Sequence, residues 1–189
     1  LDSYKEIRKN RSDFEVKSSL MLPKILWLKN NRESIFNEAA YFLSPNDYFG
    51  YRFTGHTAVD KFNAEKCFFD SATNSYPTKL LKDLTIPLEK LSKVVKVGDV
   101  VSQVTDEFKK LIHIKDSQSL EYVVSTYDAI CAFYGSGVAE NGDTSDVSGT
   151  VTSLRTLVKG KVDISSTAIL SQYQPEFDIS IIGGSNNLG

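Results

Sequence analysis

Apolar positions recur along this chain with two different periods, and the change between them divides it. Up to about residue 115 they fall mainly at helical spacing, whereas after Gly137 they form short alternating runs split by polar turns. Residues 1–22 are polar and weakly patterned. From Pro23, which suits a first helical turn, Ile25, Leu28, Ile35, Phe36, Ala39, Phe42 and Leu43 predict one helix reaching Leu43. Trp27 is expected on its core face. The stretch "SPND" restarts a helix, with Ser44 as N-cap, Pro45 as first helical residue and Asp47 in the first turn, where the dipole favours an acid. That helix is rich in aromatic residues and stops at Gly55.

Residues 66–70 read as a short strand, and 76–95 as two short helices, the second opening near Pro87. Gly98 marks a turn and 99–104 a brief strand. Thr105 caps a helix with Asp106 and Glu107 early and Lys109 and Lys110 late, as the dipole prefers. Residues 119–124, "SLEYVV", are the strongest strand candidate, followed by a helix-like run that ends in Gly-Ser-Gly. Strand-like pieces at 147–158 and 177–182 come after it. The predicted boundary lies between about 115 and 137 and is drawn at 118/119. No internal repeat or low-complexity tract is visible.

Composition narrows the function classes. Of 189 residues 41% are apolar, and 22 basic residues nearly balance 24 acidic ones. A net charge of −2 gives no basic face for nucleic acid. The cluster "YKEIRKNR" near the start contains Glu6 and reads as a solvated face. Cys67 and Cys131 lie in unlike contexts and read as buried free thiols of a reducing compartment. His56 and His113 have no ligand-like spacing, which argues against zinc. No apolar run approaches the roughly 20 residues that span a bilayer, and no signal peptide is visible. The expectation is a cytoplasmic protein without a membrane or nucleic-acid partner. The chain opens at Leu1 and closes on "GGSNNLG", read as a turn after a strand. A strand leading into a turn normally feeds another element, so a piece of a longer chain is expected.

Three places could carry chemistry. Asp128 stands at the expected strand-to-helix turn, "STYDAICAFYGSG", where the helix dipole favours its charge and where open α/β sheets bind ligands. It could serve as general base, as a cation ligand, or simply as a helix N-cap. Ser148-Gly149-Thr150 could offer backbone N–H groups and a hydroxyl to a phosphate, or be an ordinary hairpin turn. It lacks the Lys of a Walker-type loop. The closing glycines lack the dinucleotide-binding spacing. Neither a Ser-His-Asp order nor a Cys–His pairing is present.

Taken together, the motifs resemble the FGGY family of carbohydrate kinases. The stretch "LPKILWLKNNRESIF…YFLSPNDYFGYRFTGHTAVDKFNAEKCFFD" is similar to the family segment P-K-x-x-W, then D-Y-x-x-x-x-L-T-G, then D-x-S-N-A and a following Asp. The matching residues are Pro23, Lys24, Trp27, Phe36, Asp47, Tyr48, Thr54, Gly55, Asp60, Asn63, Ala64 and Asp70. The run "STYDAICAFYGSG" falls where the family has G-x-x-D-N, and "SGT" falls on its Gly-Thr phosphate turn. The resemblance covers about residues 20–189, and xylulokinases are the nearest comparison.

The resemblance implies an α/β, ribonuclease H-like and actin-like ATPase fold, incomplete here. Residues 1–118 would belong to the first domain and 119–189 to the second, with a sugar cleft between the domains. It implies an ATP-dependent sugar kinase acting on a pentulose such as xylulose. Asp128 would be the catalytic base, Asp128 and Ala129 would meet the sugar, and Ser148, Gly149 and Thr150 would hold phosphate. ATP and Mg2+ would be required, with most Mg2+ ligands outside this stretch, and the piece alone would be inactive. Its exposed apolar edges would favour self-association.

Four positions depart from the family pattern: Ala129 replaces Asn, Thr126 a common Gly, Ser34 a Pro, and Ser148 an apolar residue. Two other readings therefore stand beside the kinase. One is a catalytically inactive sugar-binding or regulatory member of the fold, and the other is an unrelated α/β interaction domain.

Overall fold

The computed structural model describes residues 16–17, 20–115, 118–164 and 169–187. The chain divides into two compact units, Leu1–Thr126 and Tyr127–Gly189.

The first unit is built mainly from short helices. Helix α1 (Met21–Asn31) buries Leu22, Pro23, Ile25 and Leu26, and α2 (Glu33–Glu38) buries Phe36. The single helix expected from Pro23 to Leu43 is therefore two helices, and the second stops at Glu38. The break is at Arg32, with φ −144° and ψ 57°. Asn31 precedes it and turns its side-chain amide onto the Trp27 carbonyl at 2.9 Å, a local bond of the kind that makes Asn a poor helix former. Trp27 itself is 52% exposed. The expected core role is wrong because the buried stripe 22–25–26 lies on the other face of the helix.

Helix α3 (Pro45–Thr54) begins as its sequence predicts. The Ser44 side chain accepts from the Asp47 N–H, Asp47 accepts from the Ser44 N–H, and Gly55 closes the helix at φ 74°. Strand β1 (Ala58–Asp60) comes next, then the single-turn α4 (Lys61–Ala64).

The strand expected at 66–70 is instead a 3-10 turn over Glu65–Cys67. Phe68 then takes a left-handed conformation at φ 60°, and a lone bridge joins Asp70 to Ser75. A short apolar run cannot distinguish these alternatives by periodicity. Phe68 joins the main core while Phe69 joins a smaller cluster with Val59 and Ala64.

Helix α5 (Thr78–Asp83) is the first of the two expected after residue 76. The second is only a 3-10 turn, Leu88–Lys90. Strand β2 (Lys93–Val95) then runs parallel to β1 with Asp60 opposite Val95. Strand β3 (Val100–Gln103) pairs antiparallel with β4 (Glu121–Val123), and between them α6 (Asp106–Leu111) is capped by Thr105, as expected. The core gathers Leu22, Ile25, Leu26, Phe36, Leu80, Leu81 and Leu84. Each such side chain contributes about 1.5–3 kcal/mol on burial.

The second unit opens with α7 (Asp128–Gly135). Four antiparallel strands come after it: β5 (Thr144–Ser148), β6 (Val151–Lys159), β7 (Leu170–Gln174) and β8 (Ile179–Asn187), in the order β5-β6-β8-β7. Ile130 and Phe133, three apart on one face of α7, are fully buried, and Leu157 and Ile181 are buried in the sheet. Strand β8 runs through the glycines read as a turn: Gly183 and Gly184 pair with Arg155 and Leu154. A Cβ on Gly183 would come within 2.0 Å of the Leu154 carbonyl oxygen. The glycine there marks close backbone approach rather than a turn. Leu188 and Gly189, the rest of that predicted turn, lie outside the described residues.

Of the two cysteines, Cys67 is buried as expected, with its thiol pushed up to about 12 by burial. Cys131 is exposed, against expectation. It falls beside the buried 130–133 stripe rather than within it. Among the described residues no helix is long and apolar enough to cross a membrane.

Candidate functional site

Asp47, Asp60 and Asp128 each stand at a helix start, and the fold treats them differently. Asp60 ends β1 and caps α4. Its Oδ1 accepts from the Phe62 and Asn63 N–H groups at 3.0 and 3.2 Å and from the Thr126 hydroxyl at 2.8 Å. Its Oδ2 accepts from the Asn63 amide at 2.6 Å, whose oxygen in turn receives Lys66 Nζ at 2.7 Å. Asp60 has no exposed surface, so a charge that would be costly to bury is satisfied by four donors.

Asp47, at the third helical position of α3, is 6% exposed. Burial pushes its carboxyl up to about 6, against the opposing hydrogen bonds from Ser44. The Asp60 charge raises it further and the Lys66 charge lowers it. Around this pair the chain is tightly fitted. The Tyr122 hydroxyl donates to the Asn46 carbonyl at 3.2 Å, and a Cβ on Gly50 would lie 2.5 Å from the Tyr122 ring. Asp47, Asp60 and Asn63 were matched in sequence only as parts of a motif, and nothing in their spacing disclosed one buried polar knot.

Asp128 is the opposite case. It is the first residue of α7, not its N-cap, which is Tyr127 with φ −74° and ψ 158°. Its side chain is exposed. Oδ1 accepts from the Ala129 N–H at 2.7 Å, and Oδ2 has no hydrogen-bond partner among the described residues. A carboxylate here gains from the helix dipole and keeps an oxygen available to a proton or a cation. Ala129, half-buried, offers only a methyl group and an N–H already given to Asp128.

Ser148, Gly149 and Thr150 form the exposed tip between β5 and β6, a hairpin as one of the two readings had it. Ser148 Oγ donates to Asp146 Oδ1 at 2.7 Å, and the Gly149 N–H donates to the Val151 carbonyl at 3.2 Å. At Gly149 an added Cβ would meet nothing closer than 3.9 Å, and its φ is not left-handed. The fold does not require glycine there, whereas close approach by a ligand would. Helix α7 packs on β5, so Asp128 and this turn belong to touching elements of one unit. Among the described residues no three His, Cys, Asp or Glu side chains converge on a metal position.

Residues 4–118 match the FGGY family of carbohydrate kinases, N-terminal domain. A xylulose kinase of Staphylococcus xylosus is 28% identical over 120 residues, which is 63% of this chain and 24% of that protein. An autoinducer-2 kinase of Escherichia coli is 27% identical over 130 residues, 68% of this chain and 24% of that protein. The chain thus spans about a quarter of the length of the curated relatives it matches. Among solved structures, a gluconate kinase of Lactobacillus acidophilus superposes with a TM-score of 0.79 at 21% identity, covering all of this chain and 40% of that one. A xylulose kinase from the same organism does so at 0.76 and 23%, covering 90% and 34%. The fold is the α/β, ribonuclease H-like and actin-like fold of these sugar kinases, as the sequence implied.

Proposed function

Because the chain belongs to the FGGY family of carbohydrate kinases, we propose that it takes part in ATP-dependent phosphorylation of a small sugar or polyol, with a pentulose such as xylulose as first choice. Asp128 is the general base. It accepts the proton of the sugar hydroxyl as that oxygen attacks the γ-phosphorus of ATP, and ADP leaves. Gly149 and Thr150 meet phosphate oxygens at the exposed tip of the β5–β6 turn, the Gly149 N–H exchanging its bond to the Val151 carbonyl for one to phosphate, with Ser148 beside them. Mg2+ held with ATP supplies charge neutralisation at the phosphates. Residues 1–118 belong on this reading to the first kinase domain and 119–189 to the second.

One observation carries the assignment: Asp128, unlike the buried aspartates Asp47 and Asp60, is exposed with an oxygen that has no hydrogen-bond partner among the described residues. In the longer parent protein, Asp128→Asn should lower kcat for ADP release by at least about 100-fold while ATP binding, read by calorimetry, stays within about twofold. Retained turnover removes Asp128 from the role.

The second reading, a catalytically inactive sugar-binding or regulatory member of the fold, draws on Ala129, which has no polar side-chain group to offer a sugar hydroxyl. Sugar binding without ADP release in the longer parent protein would select it.

A further inference from the structure

Arg155 of β6 is a cation without a counter-charge. Its guanidinium donates to the Ser153 hydroxyl, and among the described residues no carboxylate pairs with it. It is half-buried, where water screens a charge less than at an open surface. Its partner on β5 is Ser145, which is 5% exposed and whose hydroxyl has no hydrogen-bond partner among the described residues. Directly opposite residues of antiparallel strands share a face of the sheet. A half-buried charge and a buried unsatisfied hydroxyl are each costly to leave unpaired. An anion beside Arg155 supplies the missing charge and further acceptors.

The strand register builds a floor around this spot. A period of two puts Ser153, Arg155 and Leu157 on one face of β6. Ser153 lies opposite Ser185 of β8, and Arg155 opposite Gly183. The Ser153 and Ser185 hydroxyls are 2.9 Å apart. A Cβ on Gly183 would come within 2.9 Å of Arg155 Cγ, so the Arg155 stem occupies room that only glycine leaves. Of the five N–H donors of a guanidinium, one is given to Ser153.

The same face carries the start of α7. Leu157 lies opposite Ile181, and Ile181 opposite Gln172, which accepts from the phenol of Tyr127, the residue before Asp128. In the other direction the face runs to the β5–β6 turn. Ser153 stands two residues from Val151, where β6 leaves that turn, a rise of about 7 Å. Arg155 therefore lies along one sheet face between the start of α7 and Gly149-Thr150, all of it within the second unit.

We propose that Arg155, with the Ser153 and Ser185 hydroxyls, forms a further phosphate-binding site on the floor of this sheet. The planar fork takes two oxygens of one phosphate group, and the hydroxyls, which rotate freely, meet a third. The phosphate is one of those of ATP, the rest of the chain of phosphates continuing to the Gly149-Thr150 turn. That last assignment rests on the kinase reading above. The anion site itself does not.

Calorimetry on the longer parent protein tests this with three probes: ATP, inorganic triphosphate and adenosine. Arg155→Ala should weaken binding of ATP and of triphosphate about tenfold or more, because charge-assisted hydrogen bonds are the strong ones. Adenosine binding should stay within about twofold. Arg155→Lys keeps the charge but not the fork and should recover part of the loss. Added NaCl should weaken ATP binding less steeply in Arg155→Ala than in the unaltered protein, since one cation no longer contributes.

Unchanged ATP and triphosphate affinities in Arg155→Ala overturn the site, as does a failure of the unaltered protein to bind triphosphate. Equal losses for ATP and adenosine overturn it too, because they report a disturbed fold rather than a lost phosphate contact. Weaker triphosphate binding with ATP unaffected overturns the assignment to ATP. If the unaltered protein binds triphosphate but not ATP, the kinase reading is what fails, and the triphosphate titration still decides the site. Should Arg155→Ala not fold, Arg155→Gln keeps the stem and must show the same loss of triphosphate binding, or the proposal falls.

Discussion

The β1–α4 corner of the first unit and the start of α7 in the second are built alike, each with an aspartate at the beginning of a helix, yet they differ in what remains available. Asp60 is enclosed and takes four hydrogen bonds from its own chain. Asp128 is exposed and takes one. A carboxylate whose acceptor sites are filled by the fold supports structure, and one left with an open oxygen can do chemistry. Position at a helix start is common to both and so distinguishes nothing. The count of donors does.

The contrast is broken most directly by exchanging the losses. Asp60→Ala should destabilise the first unit by about 3–5 kcal/mol, because a helix cap is lost and buried donors from Asn63 and Thr126 are orphaned. Asp128→Ala should change stability by no more than about 1 kcal/mol. Urea unfolding of both variants reads this directly, and equal costs would end the distinction.

Asp47 tests the buried side by titration. Its folded-state carboxyl, raised to about 6 from an ordinary 3.8, binds a proton more tightly in the folded than in the unfolded chain. Its contribution is therefore fully present below about pH 3.8 and is lost as pH rises through 6. Each tenfold difference in proton affinity is worth about 1.4 kcal/mol, so roughly 3 kcal/mol should disappear over that window. Asp47→Asn should flatten that part of a stability profile measured by denaturant unfolding from about pH 4 to 7. An unchanged slope would assign the window to other groups.

The smallest effects come from two glycines of the second unit. Gly183→Ala drives a Cβ into the Leu154 carbonyl and should cost about 1–3 kcal/mol. Gly149→Ala meets open space and should change stability by less than about 0.5 kcal/mol, while weakening ATP binding about tenfold if phosphate approaches that backbone. Thermal shift with and without ATP separates the two. Normal ATP binding in Gly149→Ala would return the turn to a plain hairpin.

Local signals were legible where one residue type performs one task. The Ser44–Asp47 capping box, the Gly55 stop, the Thr105 cap and the strand at 121–123 were all readable from composition and spacing. Readings failed where a neighbour in space decides. Trp27 lies outside the buried stripe, Cys131 is exposed, residues 65–70 turn rather than extend, and Gly183 belongs to a strand. Apolar identity states that a side chain favours burial, not which face of the fold is available to it.

The sequence by itself determined the Ser44–Asp47 capping box, the Thr105 cap and the Gly55 stop, the alternation that makes β6 a strand, and the family motif order, because each depends on residues a few positions apart. Only the tertiary structure decided that Asp60 is consumed and Asp128 is not, and that Thr126 is held by residues 66 and 80 positions away. Hydrogen-bond saturation is a property of the assembled neighbourhood. Neither carboxylate carries it in its own segment.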